Sequence, residues 1–298
     1  MKRVETLYVC IVIIIISVSI FSIIGKESRE SEKIKQIAVG NFALPGSQQP
    51  GPLFSFGQNI LDQGITELFG YVDQAKGSHY NFKSFTPLLL YGITDRLSLF
   101  IGLPMAAQFK FEGSRAHGPQ DFRLQLEGAV YVTETSTSMN EITCVANIGV
   151  PTGSSTTNPP LGFGSPSFFL GFTASHTGPQ WWYFISSGVL LPTSHKKSKH
   201  GNQFLYQGGL GRNIAYSPDK WVLNGLIELN GIYVQRSKLS GLTVRNSGGN
   251  SLLLGPSLWL STQRVIMQIG ISAVIFQHLF GMQPKDSYLL AAGIGWTF

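Results

Sequence analysis

From about residue 63 to Phe298, apolar side chains recur at every second position, in segments of about 13 to 16 residues where a soluble strand runs about five or six. The last segment is the clearest. Tyr288, Leu290, Ala292, Ile294, Trp296 and Phe298 fall on one face, and Leu289, Ala291, Gly293, Gly295 and Thr297 on the other. Upstream, Phe122, Leu124, Leu126, Val130 and Val132 oppose Asp121, Arg123, Gln125, Glu127 and Tyr131. Trp221, Leu223, Ile227, Leu229 and Tyr233 oppose Asn224, Glu228, Asn230 and Arg236, and Val265, Met267, Ile269, Ile271 and Ile275 oppose Arg264, Gln268 and Ser272. A soluble sandwich alternates too, so alternation alone does not decide.

Length and connections decide. A tilted membrane crossing needs about 9 to 11 residues, and these segments supply them. Very short turns fall near Thr94-Asp95, Ser136-Ser138, Thr177-Gly178, Pro218-Asp219 and Thr262-Gln263. Longer polar loops lie between them: Lys76-His79, Glu112-Pro119, Gly153-Phe163, His195-Asn202, Ser237-Asn250 and Phe280-Asp286. Outer-membrane barrels have this rhythm of short periplasmic turns and longer outer loops. Only 13% of the residues are charged, against roughly 25% in a soluble domain. Beyond residue 25 no apolar run reaches the roughly 18 to 20 residues of a spanning helix.

The expected fold is therefore all-β: an up-and-down, antiparallel transmembrane barrel of twelve strands in the bacterial outer membrane. The strands fall at about 64–75, 80–93, 96–111, 120–135, 140–152, 164–176, 180–194, 203–217, 220–236, 250–261, 264–278 and 287–298. An even count returns both ends to the periplasm, and closure leaves no open edge. The first strand carries the weakest pattern, because Glu67 and Asp73 share a face with Ile65, Phe69 and Tyr71. Residues 53–60 read as a further extended piece, inside the barrel or added to it. Trp181, Trp182, Trp221 and Trp296 lie near short-turn ends, where an interfacial girdle places aromatics.

The chain opens with Lys2 and Arg3, an apolar stretch from Leu7 to Ile24, Gly25 and then the charged run 26–35. That order is a secretory signal over residues 1–25, cleaved or retained as an anchor. Residues 26–62 change character, from KESRESEKIKQ to the turn-rich ALPGSQQPGP, and read as a periplasmic linker or as a lumen plug. Residues 63–298 are the barrel. Cys10 and Cys144 give no expectation of an intrachain disulfide after processing.

A twelve-stranded lumen lies between barrels filled by side chains and open porins. Its candidate lining carries both signs: Lys110, Asp121, Arg123, Glu127, Glu228, Arg236 and Arg264. Asp121, Arg123, Glu127, Glu228 and Arg236 are the candidate constriction, a polar path that selects solutes; the alternative is internal pairing that fills the interior. Lys196, Lys197 and Lys199 form a basic loop tip, solvated or in contact with lipopolysaccharide phosphates. The six histidines show no metal-ligand spacing, and no metal, cofactor or enzyme is expected. Gly209-Leu210-Gly211 and Gly293-Ile294-Gly295 sit mid-strand, away from any helix start that would cradle a phosphate. His278 with a rim serine is the only nomination for a hydrolase. The net charge of +6 is diffuse and lacks a nucleic-acid-binding stripe.

Several stretches carry a resemblance. LLLYGITDRLSLFIGLP (88–104), PQDFRLQLEGAVY (119–131), NIGVPTGSS (147–155), GFGSPSFFLGF (162–172), LIELNG (226–231) and the terminal GIGWTF follow one another in order. Together they resemble the outer-membrane transporter family associated with the meta-cleavage pathway of phenol degradation. The resemblance spans roughly residues 50 to 298, and departs at Gln120-Asp121, where a Gly-Asp pair is common. It implies passive uptake of small, hydrophobic or aromatic solutes, and carries no catalytic residues. A sealed barrel that presents its loops to a partner is the alternative function. Trp296 and Phe298 resemble the end signal read by barrel-assembly machinery. The expected partners are that machinery, outer-membrane lipid and lipopolysaccharide, and a small-molecule solute.

Overall fold

The structure, a computed structural model, describes residues 37–57 and 59–298. The expected signal at 1–25 and the charged run after it lie outside the described residues.

Twelve antiparallel strands follow one another around a closed sheet. They are β1 (Thr66–Gly77), β2 (Tyr80–Thr94), β3 (Leu97–Gly102, continued by Met105–Phe111) and β4 (Ser114–Pro119, continued by Phe122–Glu134). Next come β5 (Met139–Val150), β6 (Ser167–Thr177), β7 (Trp181–Pro192) and β8 (Gln203–Ser217). The last four are β9 (Trp221–Val234), β10 (Gly249–Thr262), β11 (Val265–Leu279) and β12 (Asp286–Thr297). β1 pairs with β2 on one side and, from Glu67 opposite Thr297 to Gly77 opposite Asp286, with β12 on the other. That last ladder closes the barrel and removes the edge.

Two expectations change in detail. Residues 112–119 read as a loop, yet Ser114–Pro119 pairs with Met105–Phe111. The turn is only Glu112 and Gly113, both at positive φ (45° and 87°), the geometry of a tight hairpin turn. Tyr131 was expected on the lumen face with Glu127. A register shift between Ala129 and Tyr131 puts it opposite Ile142, on the outside. One extra residue in a period-two strand reverses every side chain after it.

The outer face is apolar. Leu68, Val72, Ile227, Ile269 and Ile294 are between 47% and 61% exposed, as lipid-facing residues must be. Trp181, Trp221 and Trp296 are exposed at the short-turn rim, in the expected girdle position. Trp182 is not: alternation turns it inward, where its ring stacks on Phe184 at 5.7 Å. Both rings lie flat over glycine. A Cβ on Gly211 would sit 2.0 Å from Trp182, and one on Gly209 2.5 Å from Phe184. Gly293 and Gly295 seat Phe69 in the same way, at 2.5 and 2.6 Å. The two Gly-x-Gly sequences are therefore ring seats on the inner wall.

Above the long-loop rim stands a separate four-stranded sheet, absent from the sequence reading. It joins Ser194–His195, Ser198–Lys199, Lys238–Leu239 and Leu242–Thr243.

Candidate functional site

An irregular segment has backbone N–H groups that no strand neighbour accepts, so it can be buried only where side chains accept them. The inner wall of this barrel supplies those acceptors to residues 41–64. The segment starts at the short-turn rim, where Asn41 donates from its backbone to Pro179 and from its side chain to Gly178, both at 2.8 Å. Gln48 then bridges β10 and β12, donating to the Thr297 hydroxyl at 2.6 Å and accepting from the Ser261 hydroxyl at 3.1 Å.

Midway up the barrel, one carboxylate holds three successive N–H groups. Glu228 accepts from Leu53 at 2.9 Å, Phe54 at 3.1 Å and Ser55 at 3.0 Å. The Ser55 hydroxyl reaches Asn230 at 2.8 Å. At the top of the loop the Phe56 N–H donates to Gln207, and its carbonyl accepts from Thr173, both at 3.2 Å. Gly57 makes the turn with φ 88°, and a Cβ there would lie 2.2 Å from the Thr173 hydroxyl. The chain then descends: Asn59 donates to Glu127 at 2.9 Å, Leu61 to the Ser98 hydroxyl at 2.8 Å and Gln63 to Asp95 at 2.9 Å. A backbone hydrogen bond contributes about 0.5–1.5 kcal/mol net, and Glu228, which accepts three of them, is the main fastener.

The segment does not fill the lumen. A cavity of about 440 Å³ opens beneath the long loops, walled by Phe56, Phe163, Phe169, Leu190 and Leu205. A second, of about 420 Å³, runs beside the segment along β1 to β4 and reaches Glu67 and Ile266 near the short-turn rim. Both cavities are lined by Phe56, Gln120, Arg123, Gln125 and Asn147. Those five residues, the neck, border both an outer vestibule and an inner passage.

The neck is built from local necessities. Phe56 comes from the segment and meets Phe169 of β6 edge-on at 4.8 Å. Gln125 and Asn147 face each other on β4 and β5, with the Asn147 amide donating at 3.4 Å. Arg123 is open to both cavities, in the field of Asp73 and Asp121. Asp121 is engaged elsewhere, accepting the N–H of Gly153 at 3.0 Å and of Phe163 at 2.9 Å, which ties the 151–166 loop down. Asp73 accepts the Ser84 hydroxyl. In the vestibule wall His200 packs on Phe163 at 5.0 Å, and burial pushes its pKa below the ordinary imidazole value.

Of the five residues expected at a constriction, the structure brings Asp121 and Arg123 to the vestibule. Glu127 and Glu228 lie lower and are engaged by the segment's backbone. Arg236 is not with them. It lies two residues past the end of β9, exposed, with its guanidinium 4.7 Å from the Phe280 ring centroid. Lys110 and Arg264 sit at opposite rims. Lys196 and Lys197 are exposed at the tip of the loop sheet, and Lys199 pairs opposite Lys238 within it. Trp296 faces outward, and the Phe298 N–H donates to the Thr66 carbonyl at 2.9 Å. The sequence reading missed Phe56, Gln120 and Asn147. Two are neutral amides, and Phe56 reaches the neck only through the path of the segment.

No family model matches the chain, and no curated protein matches it. Among solved structures, the chain is similar to the COG4313 outer membrane channel from Pseudomonas putida F1. The TM-score is 0.67 at 14% identity, over 80% of this chain and 97% of that one. The chain has the fold of an outer-membrane barrel. A weaker likeness is to the NanC porin, at a TM-score of 0.48 and 9% identity over 77% of this chain and 98% of that one.

Chemically, the arrangement can sort solutes by size, by apolar contact in the vestibule and by charge at Arg123. Among the described residues no cluster of three or more His, Cys, Asp or Glu is placed to hold a metal ion.

Proposed function

We propose that this chain is a passive outer-membrane channel for small solutes with an apolar or aromatic body. In this reading residues 41–64 act as a plug that narrows the lumen without sealing it. The observation that carries it is the pair of cavities meeting at one neck, from the long-loop side to the short-turn rim. Phenylalanine and leucine walls favour an apolar body, and the amides and Arg123 favour a polar end. No covalent chemistry enters this reading.

The basic tip at Lys196 and Lys197, beside Lys238, fits lipopolysaccharide phosphates in the outer leaflet. Barrel-assembly machinery would read the strand that ends at Trp296 and Phe298.

The test is single-channel recording on the refolded chain in planar bilayers. Small, reproducible unitary steps are expected. Silence from a barrel shown to be folded and inserted would sink the channel reading and leave a sealed barrel that acts through its loops.

A further inference from the structure

We infer that the vestibule is a binding site for small aromatic monocarboxylates, with Arg123 as the receptor for the carboxylate. This rests on the channel reading and names the solute class that its outer chamber holds.

A guanidinium carries five N–H donors in a planar fork that matches a carboxylate. Among the described residues, no protein acceptor lies within hydrogen-bonding reach of Arg123, although the side chain is open to both cavities. Its two acidic neighbours lie in its field but hydrogen-bond to other partners. Asp121 takes two loop N–H groups, and Asp73 takes Ser84. An unsatisfied guanidinium at the floor of a chamber needs water or an anion. Water satisfies donors anywhere; what this chamber adds is a ring-lined wall above the donors, made by Phe56, Phe163 and Phe169.

Charge count selects the anion. The one guanidinium offers a single bidentate face, and the field of the two nearby carboxylates penalises a dianion such as a phosphate monoester more than a monoanion. Below the neck the passage carries Asp73 and Glu67 and offers no further arginine or lysine. An acid is therefore held at Arg123 more readily than it is passed on, and its occupancy narrows the neck.

The probes are benzoate, its neutral isostere benzamide, ring-free acetate, and phenyl phosphate, titrated calorimetrically into the folded full chain. Benzoate is expected to bind about tenfold or more tighter than each of the other three, as a charge-assisted bidentate contact on an apolar wall should. Arg123→Gln should abolish the preference over benzamide, and Arg123→Lys should keep part of it, with circular dichroism confirming the barrel in each. Equal binding of benzoate and benzamide by the unaltered chain overturns the inference, with no variant needed. So does unchanged benzoate affinity in folded R123Q, or tighter binding of phenyl phosphate. Unitary steps in bilayers keep the two readings apart. Steps without a benzoate preference overturn this site alone. A benzoate preference without steps overturns the channel and leaves the site.

Discussion

Glu228 holds three backbone N–H groups of the plug segment and Glu127 one, so their carboxyl oxygens fasten chain to wall. Replacing Glu228 by Gln leaves one acceptor oxygen for three donors, Leu53, Phe54 and Ser55. The loss should be about 1–3 kcal/mol of local stability. Faster hydrogen exchange at those three amides, with the barrel strands unchanged, is the expected readout. Unchanged exchange would mean that Glu228 does not fasten the segment. Gly211 makes a second residue-scale claim. Its missing Cβ is the seat of the Trp182 ring, so Gly211→Ala should destabilise the barrel by about 1–3 kcal/mol through overpacking. Thermal unfolding would measure it, and in a Trp182→Ala background the same change should cost little, because the ring it clashes with is gone. From sequence, a Gly-x-Gly in a strand shows only that side chains are absent, and the ring that lies there comes from two strands packing together.

At the scale of elements, the twelve strands were legible because period-two alternation and short turns are local signals. What escaped was non-local or carried by too few residues. The first part of β4, SRAHGP, has no apolar alternation and forms a strand because the hairpin turn delivers it to β3. The bulge before Tyr131 adds one residue and leaves no mark in composition. The neck was only half legible, since charge draws attention to Arg123 while Phe56 and the neutral amides carry no signal of their own. The loop packed by Phe163 and His200 yields an element-scale prediction. Burial lowers the folded His200 pKa below its ordinary 6.5, so the unfolded state binds more protons as pH falls through that value. Loop stability from this contact is full above 6.5 and is lost on acidification. Protection of the 161–163 amides, taken relative to their intrinsic exchange rate at each pH, should therefore fall below pH 6.5 in the native chain, and His200→Phe should flatten that dependence.

For the molecule as a whole, the problem is how a twelve-stranded barrel avoids being either a solid cylinder or an open pore. Eight strands enclose a lumen that side chains fill, and sixteen leave a water channel. Twelve leave room for one folded-back segment and little more. The inner wall accommodates it by alternating ring seats on glycine with acids and hydroxyls that accept backbone donors. The space that remains lies to one side, along β1 to β4, where Phe69, Phe82 and Phe100 line the passage and the plug backbone is fastened at Glu127 and Ser98. In the channel reading, it follows that the segment sets the bore, and that segment and wall together set the selectivity. Removing residues 41–63, in a barrel whose folding is confirmed by heat-modified gel mobility, should raise unitary conductance severalfold. The same removal should also erase solute discrimination at the neck, because Phe56 leaves with the segment. A deleted barrel that conducts no better than the intact chain would mean that the wall alone limits passage, and the segment would then be a structural filling.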